Sequence, residues 1–182
     1  RPAGSIRNVL IQNVIAHGQG SSICNGHPDN WLDGITMENV KLFISHDPRA
    51  SYDKATNALT FKQVKNLKLG NIEVFWDKPA YDQWKAALYL EDIRGLDLEG
   101  FQGRPAKPGA DDAALVLDQV EDARVLQSKA LSGTTVFCEI KGARSRGISL
   151  VGNDFRQAKV PFRVAPGVKP GAVRAQGNLL LE

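Results

Sequence analysis

A short phrase that recurs along the whole chain constrains its fold more than any other feature of the sequence. The phrase alternates apolar and polar residues and closes on a bend residue, most often asparagine. Its copies are VLIQNV at 9–14, ITMENV at 35–40, LKLGNI at 67–72, LDLEGF at 96–101, RVLQSK at 124–129, ISLVGNDF at 148–155 and VRAQGN at 173–178. Anchored on Asn13, Asn39, Asn71, Gly100, Ser128, Asn153 and Asn178, they lie 26, 32, 29, 28, 25 and 25 residues apart. Repeats of this length without helical periodicity predict a single all-β domain over 1–182, a right-handed parallel β-helix of about seven coils.

A second phrase lies between these copies and supplies another short strand in each coil. It reads ALTFKQVKN at 58–66, ALYLEDIRG at 87–95 and ALVLDQVED at 114–122, with a looser relative, FCEIKGARSRG, at 137–147. Alternation predicts that one set of its residues stacks inward as aliphatic ladders and that the other set faces out. The inward set is Leu59, Phe61, Leu88, Leu90, Leu115 and Leu117. The outward charged set is Lys62, Glu91, Asp118 and Lys141, a ladder typical of a solvated surface.

The bend asparagine has a mechanical role in this interpretation. Its side chain can bond neighbouring backbone groups, and its backbone tolerates the left-handed conformation. Stacked on the asparagine of the next coil, it can also form an internal amide ladder. We therefore expect the anchor positions to form a column along the β-helix.

Three longer loops interrupt the coils, at 44–57, 75–85 and 102–112. They are predicted to emerge on one side of the β-helix and to wall a groove, because loops on a rigid scaffold often carry binding residues. One loop holds Trp76, Tyr81 and Trp84. Two roles stay open for these rings: packing the loop onto the β-helix, or stacking against sugars.

The composition excludes few functions. The chain has 182 residues and a net charge of +3 without any run of like charge, which suits an acidic ligand and argues against nucleic acid. No apolar run approaches the roughly 20 residues of a membrane span, and no segment is expected to act as a signal peptide. Cys24 and Cys138 are predicted to lie about four coils apart, roughly 19 Å at about 4.8 Å a coil. Both are therefore expected to be free, largely buried thiols.

The segment NVLIQNVIAHGQGSSICNGHPDNWLDGITMENVKLF at 8–43 resembles glycoside hydrolase family 28, the polygalacturonase-like β-helix enzymes, and is closest to its bacterial branch. The resemblance implies that the parent protein hydrolyses acidic, pectin-type polysaccharide with inversion, which needs a general acid and a general base with room for a water between them. It also implies a secreted or periplasmic protein with no cofactor. The family's acidic Asn-Thr-Asp and Asp-Asp segments precede its Gly-His-Gly turn. No Asp or Glu precedes Gly18 here, so this chain resembles the C-terminal part of such an enzyme and is expected to be inactive alone.

Carried over residue by residue, the match to the family motifs is partial. The Gly-His-Gly turn falls on 18–25 and places Gln19 at the histidine, with His17 two residues out of register as a substitute. The Arg-Ile-Lys strand falls on 57–62, where Thr60 replaces the arginine and Lys62 remains. One lysine can still pair with a uronate, although the bidentate fork of the arginine is lost. Tyr89 is predicted to face outward one coil after Thr60 and to serve as a sugar platform. The predicted substrate-binding residues are thus Lys62, Gln19, His17, Thr60 and Tyr89.

Other chemical interpretations of the sequence are weaker. One alternative is a transition-metal site made from His17, Cys24, His27 and Asp29. The other, which we favour, is that the histidines lie on the surface of a β-helix turn. No metal is therefore assigned. Ser21 and Ser22 lack the strand–turn–helix context of a nucleophile. The pair Asp111-Asp112 imitates the family's Asp-Asp motif and is interpreted as a loop-to-strand turn.

The leading hypothesis is therefore a polygalacturonase-like β-helix region that contributes groove residues for an acidic polysaccharide. A non-catalytic carbohydrate-binding or adhesion module is the alternative. A polysaccharide lyase is a third, although the sequence offers no cluster of acidic residues for its calcium ion. The first coil also exposes a strand edge, which predicts self-association.

Overall fold

The computed structural model describes residues 4–45, 56–77 and 82–182, and in this part of the chain it contains strands and no helix. The strands are β1 Arg7–Gly18, β2 Ser22–Asn25, β3 Leu32–Ser45, β4 Leu59–Asp77, β5 Leu88–Glu99, β6 Gln102–Gly103, β7 Ala113–Leu126, β8 Lys129–Ala130, β9 Thr134–Lys141, β10 Arg146–Val151, β11 Ala158–Val164 and β12 Val173–Gln176. They pair in parallel and form a right-handed parallel β-helix of about 6 turns. The predicted fold class is confirmed.

The seven copies of the first phrase lie on the seven strands that stack in the order β1, β3, β4, β5, β7, β10 and β12. Their register is uniform, because Val9 pairs with Ile35, Ile35 with Leu67 and Leu67 with Leu96. The second phrase also stacks as predicted, Leu59 on Leu88 and then Leu115. These inward side chains are fully buried, so alternation in the sequence defines the core.

The left-handed bends of the first coils match the prediction. Asn13, Asn39 and Asn71 have φ of 58°, 54° and 51°, respectively. The Asn39 amide donates to Asn13 Oδ1 at 3.2 Å, and the Asn71 amide donates to Asn39 Oδ1 at 3.1 Å. This ladder is exposed and ends where Gly100, with φ of 71°, takes the same position.

The later anchors differ from the prediction by one position. The left-handed residues there are Gln127, Gly152 and Gly177, each one residue before the expected bend. The residue after each bend belongs to an interior column that runs Val14, Val40, Ile72, Phe101, Ser128, Asn153 and Asn178. Polar residues thus replace apolar ones at the C-terminal end of this column, because a glycine or glutamine before them takes the bend; Ser128 and Asn153 are fully buried and Asn178 is partly buried.

The Asn153 side chain is fully buried and satisfied. Its amide donates to the Val125 carbonyl and to Asn178 Oδ1, both at 3.0 Å, and its Oδ1 accepts from the Ser128 backbone N–H at 2.8 Å. The internal amide ladder exists, therefore, but in the last coils and not along the whole chain.

The cysteine prediction is half right. Both thiols are free. Their separation is about four rungs, because Cys138 stacks four rungs beyond Ser22, a residue of the same strand as Cys24. Cys138 is fully buried, whereas Cys24 is half-buried because a described rung covers it only on the side of Phe61. Burial raises the pKa of both thiols.

The aromatic residues of the second loop pack and do not project. Trp76 and Trp84 are buried with ring centroids 5.3 Å apart, which favours the packing role over sugar stacking. Tyr81 lies outside the described residues. The loops also begin later than predicted, because β3 continues to Ser45 and β4 to Asp77.

Candidate functional site

An open groove of about 460 Å³ runs along the outer face of the strands built by the second phrase. Three of the predicted substrate-binding residues, Thr60, Lys62 and Tyr89, line it. The full lining is Ser21, Ile23, Asn25, Thr56, Asn57, Thr60, Lys62, Lys85, Tyr89, Glu91 and Lys141. Because Thr56, Asn57 and Lys85 come from the ends of two of the long loops, the loops wall this groove where the structure describes them.

Alternation explains why these side chains meet. Phe61 points into the core, so its neighbours Thr60 and Lys62 face the groove. The parallel register then places Tyr89 beside Thr60 and Glu91 beside Lys62 on the next rung. The groove is thus a direct product of two consecutive copies of the second phrase.

The predicted charge ladder is present along one side of the groove. Lys62, Glu91, Asp118 and Lys141 occupy consecutive rungs. Lys62 Nζ lies 2.8 Å from Glu91 Oε1, and Lys141 Nζ lies 3.4 Å from Asp118 Oδ2. The hydrogen bond to Glu91 raises the pKa of Lys62. Both lysines of the ladder are therefore already engaged with carboxylates of the chain.

Tyr89 faces outward one rung after Thr60, as predicted, and is held firmly. Its hydroxyl donates to Asp118 Oδ2 at 2.8 Å, and the Lys141 ammonium lies 5.2 Å from the ring centroid. Its ring packs against a small apolar cluster formed by Ala86, Ala113, Val116 and Val136. Burial, followed by the hydrogen bond to Asp118, raises its pKa well above the usual range, so the phenol stays protonated. Since Lys141 lies over the ring, the tyrosine offers a sugar less open surface than the sequence suggested.

Lys85 is a groove residue that the sequence analysis missed. It is exposed, and in the part of the chain that the structure describes its side chain makes no ion pair. Its backbone is fixed, because its N–H donates to the Thr56 carbonyl at 2.6 Å and its carbonyl accepts from the Ala106 N–H at 2.8 Å. The buried Trp84 anchors the segment next to it. The only signal in the sequence was a lysine two residues before the second phrase, which alternation does not assign to a face.

His17 and Gln19 lie outside this groove. His17 is the penultimate residue of β1 and stacks on Phe43, with ring centroids 4.5 Å apart and an interplanar angle of 6°. Phe43 stacks in turn on Phe75 at 5.1 Å. Gln19 is exposed just after β1. The structure therefore separates the five predicted residues into a groove set of three and a second place near the end of β1.

The segment that follows β2 and contains His27 forms a small turn. His27 and Asn30 make an antiparallel bridge, and the Asp29 N–H donates to His27 Nδ1 at 3.2 Å. Over residues 4–45, 56–77 and 82–182, no three His, Cys, Asp or Glu side chains come together in a group that could hold a metal ion. The His27 imidazole thus accepts from the backbone of its own turn, and the side chains of His27 and Asp29 are both exposed.

The Asp111-Asp112 pair lies in the loop directly before β7, at the predicted loop-to-strand turn. Asp111 pairs with Arg163 at 2.9 Å, and Arg163 also contacts Glu139 at 3.0 Å. The carboxylate of Asp111 therefore takes part in a surface ion-pair network that links three successive coils.

No family model matches this sequence, and no curated protein matches it significantly. The fold places the chain in the class of parallel β-helix proteins. One outer face of this β-helix carries a partly charged groove. Among the described residues, none belongs to a helix long and apolar enough to cross a membrane.

Proposed function

We propose that this β-helix binds an acidic polysaccharide in the groove described above, as part of a polygalacturonase-like glycoside hydrolase whose general acid and base lie outside this chain. The observation that carries the proposal is the set of lysines around Tyr89. Lys62, Lys85 and Lys141 line the groove; Glu91 and Asp118 pair with Lys62 and Lys141, so the positive charge of Lys85 is in excess. A groove with excess positive charge attracts an anionic ligand. A secreted or periplasmic protein fits such a ligand.

The remaining lining suits sugar hydroxyls. Asn25 and Thr60 supply amide and hydroxyl groups beside Lys62, and Ile23 supplies an apolar surface. The groove is open along the stack of strands, so a polymer can enter it without threading. These features, together with the resemblance of 18–25 and 57–62 to family motifs, support a polysaccharide over a small anion.

Catalysis by the groove residues themselves is poorly supported. An inverting hydrolase needs one carboxylic acid and one carboxylate base with room for a water. Glu91 contacts Lys62, and Asp118 contacts both Lys141 and the Tyr89 hydroxyl, so each carboxylate already has its partners. The same observation favours the second candidate function, a non-catalytic carbohydrate-binding module.

Affinity electrophoresis in gels containing polygalacturonate, with neutral dextran as the reference polymer, tests the binding proposal. Lys85→Ala is expected to weaken retardation about two- to fivefold at low salt, because it removes the groove cation that has no ion pair among the described residues. Lys65→Ala is the matched control, since Lys65 is also exposed but does not line the groove. Equal retardation in polygalacturonate and dextran would refute the proposal.

An activity assay tests whether this chain lacks its own general acid and base, which both candidate functions require. Reducing-end release from polygalacturonate by this chain alone is expected to be absent, and robust turnover would show that the chain contains its own catalytic carboxylates. Reading the encoding gene upstream of Arg1 for Asn-Thr-Asp and Asp-Asp segments then distinguishes the hydrolase from the non-catalytic module. Without such segments, the non-catalytic module replaces the hydrolase.

A further inference from the structure

We infer that the open edge of β12, in the last coil of the β-helix, binds an extended segment of a partner protein in which apolar and acidic residues alternate. The inference goes beyond the proposed function, because the last coil, residues 155–182, shares no residue with the groove. It comes from one juxtaposition: a free strand edge, an incompletely covered core and an excess of cations meet in the same coil.

β12 is the last strand of the stack. Its residues Val173–Gln176 pair in parallel with β10 on one side, and no described strand pairs with them on the other side. The N–H and C=O groups of such an edge can form a ladder with an added strand. β11 is the other edge strand of this coil, but it contains Pro161, a residue that blunts strand edges. β12 is therefore the better edge for a partner strand.

The core beside β12 lacks a covering rung. Ile148 and Leu150 of β10 are almost completely buried. Val173 and Ala175 stack on them, but Val173 is only partly buried and Ala175 is exposed, because no described rung follows. Val164 of β11, in the same coil, is 43% exposed. A strand that continues the stack would bury this surface if its inward residues are apolar.

The charge of the last coil is one-sided. Residues 155–182 contain five lysines and arginines but a single acidic residue, Glu182. Two of the five cations pair with carboxylates. The other three, which are exposed and make no ion pair in the described part of the chain, are Lys159, Lys169 and Arg174. The coil therefore attracts an acidic partner.

Arg174 gives this attraction a register. It is the outward residue between Val173 and Ala175, and it stacks on Ser149. In earlier coils an acid on the following rung matches an outward cation. Three such pairs, at 2.8 to 3.5 Å, are Lys41 with Glu73, Lys62 with Glu91 and Arg94 with Glu121. An acidic residue of the added strand can take this place beside Arg174, whereas a basic residue there is repelled.

A membrane with anionic lipids is the other macromolecular surface that combines negative charge with apolar groups. Hydrocarbon offers no partner for the free N–H and C=O groups of a strand edge. A peptide strand satisfies these groups and supplies the apolar and acidic side chains in the same register. The edge of β12 therefore favours a peptide.

Fluorescence anisotropy with a labelled, end-blocked peptide of residues 95–101, GLDLEGF, tests the inference. Asp97 lies in the same column as Arg174, so the parallel register of the chain places it beside that arginine. The peptide is expected to bind at least about fivefold more tightly at low salt than a form with Asp97→Lys and Glu99→Lys. Equal affinity of the two forms, or binding of neither, overturns the inference.

Two N-methylated forms of the acidic peptide test for strand addition. Methyl groups on one set of alternate residues block one edge of the peptide, and methyl groups on the other set block the opposite edge. Only one edge pairs with β12, so one form is expected to bind about tenfold more weakly than the other. Equal affinity of the two forms contradicts strand pairing. Binding to phosphatidylserine vesicles without any binding of the peptide assigns the surface to a membrane and also overturns the inference.

A charge reversal locates the peptide. Arg174→Glu is expected to reverse the preference, so that the lysine form binds more tightly than the acidic form. Lys65→Glu is the matched control, because Lys65 is an exposed cation without an ion pair among the described residues, on a strand that is paired on both sides. The unfolding midpoint of both variants is measured alongside. An unchanged preference in folded Arg174→Glu contradicts the inference, and if that variant does not fold, the wild-type peptide series decides alone.

Discussion

The first coil and the central coils carry the same alternation of apolar and polar residues but bury it to different extents. Leu59 and Leu88, in the central coils, are fully buried because a rung covers them on both sides. Val9 and Ile11 occupy inward positions of β1 and are only partly buried, while the outward Ile15 is 70% exposed. The difference shows that stacking on neighbouring coils, rather than the composition of one coil, buries the core.

The largest expected difference between the two regions is in the free energy lost on truncating an inward side chain. Leu90→Ala, in a central coil, is expected to reduce the free energy of unfolding by about 3 kcal/mol, because it leaves a cavity between two rungs. Ile11→Ala, in the first coil, is expected to reduce it by about 1 kcal/mol, since less surface is buried there. Urea unfolding followed by circular dichroism measures both. Equal losses would mean that the first coil is as well packed as the others.

The two amide ladders give the next comparison. Asn153→Ala is expected to lower the free energy of unfolding by about 2 kcal/mol, because it leaves the Ser128 N–H and the Val125 carbonyl without their side-chain partner in a buried site. Asn39→Gly keeps the left-handed bend and removes only an exposed amide, so a loss of about 0.5 kcal/mol is expected. The same urea titration distinguishes them. A larger effect at Asn39 would show that the exposed ladder carries the stability.

The sequence predicted the fold and the ladders because period-2 alternation is set by backbone geometry alone. It placed the later bends one residue late for a physical reason. In the pairs Gly152-Asn153 and Gly177-Asn178 both residues accept the left-handed conformation, and glycine accepts it with less strain. The pattern of a single coil does not determine which residue of the pair adopts the left-handed conformation. Stacking on the preceding coil determines it, because this stacking puts Asn153 in the column of Ser128.

The sequence also predicted part of the groove, namely the residues whose direction is set by strand alternation. Thr60, Lys62 and Tyr89 were placed correctly on the outer face, because alternation fixes the direction of a strand residue. Lys85 was missed because its position depends on loop backbone bonds to Thr56 and Ala106, which no local pattern encodes. His17 faces outward too, but on another strand column, where it stacks on Phe43. Which outer face a residue joins depends on the bends between strands.

The exposed edge of the first coil leads to a third prediction, on self-association. β1 pairs with β3 on one side, and its outward Ile15 is highly exposed, so we expect the chain to self-associate through this edge. Ile15→Lys is expected to weaken association by roughly tenfold, since lysine on an edge strand opposes pairing with another chain. Sedimentation velocity over a range of concentrations measures this.

The control for that experiment is Val151→Lys. Val151 is an exposed apolar residue of β10, a strand that is paired on both sides. The same loss of association in this variant would show that general surface hydrophobicity, and not the edge of β1, drives it. A monomer at all concentrations in the wild type would exclude the association altogether.

The smallest expected effect concerns an ion pair at the surface of a late coil. Arg156 donates from its guanidinium and its backbone N–H to the Asp154 carboxylate, at 2.9 to 3.1 Å. The side-chain bond is the main cause that lowers the pKa of Asp154 from 3.8 to about 2. Because the folded pKa is depressed, the stabilisation is present above the ordinary value and is lost as pH falls from about 4 through about 2.

Asp154→Asn is therefore expected to be less stable than the wild type by under about 1 kcal/mol near neutral pH, since Arg156 is largely exposed, Asp154 is partly exposed and water screens the pair. The difference should shrink towards zero as the pH approaches about 2. Thermal unfolding midpoints measured across this pH range report the difference, with Glu99→Gln as a control carboxylate that has no ion pair among the described residues. A difference between wild type and Asp154→Asn that stays constant down to the lowest pH would assign the effect to the shape of the Asp154 turn rather than to its charge.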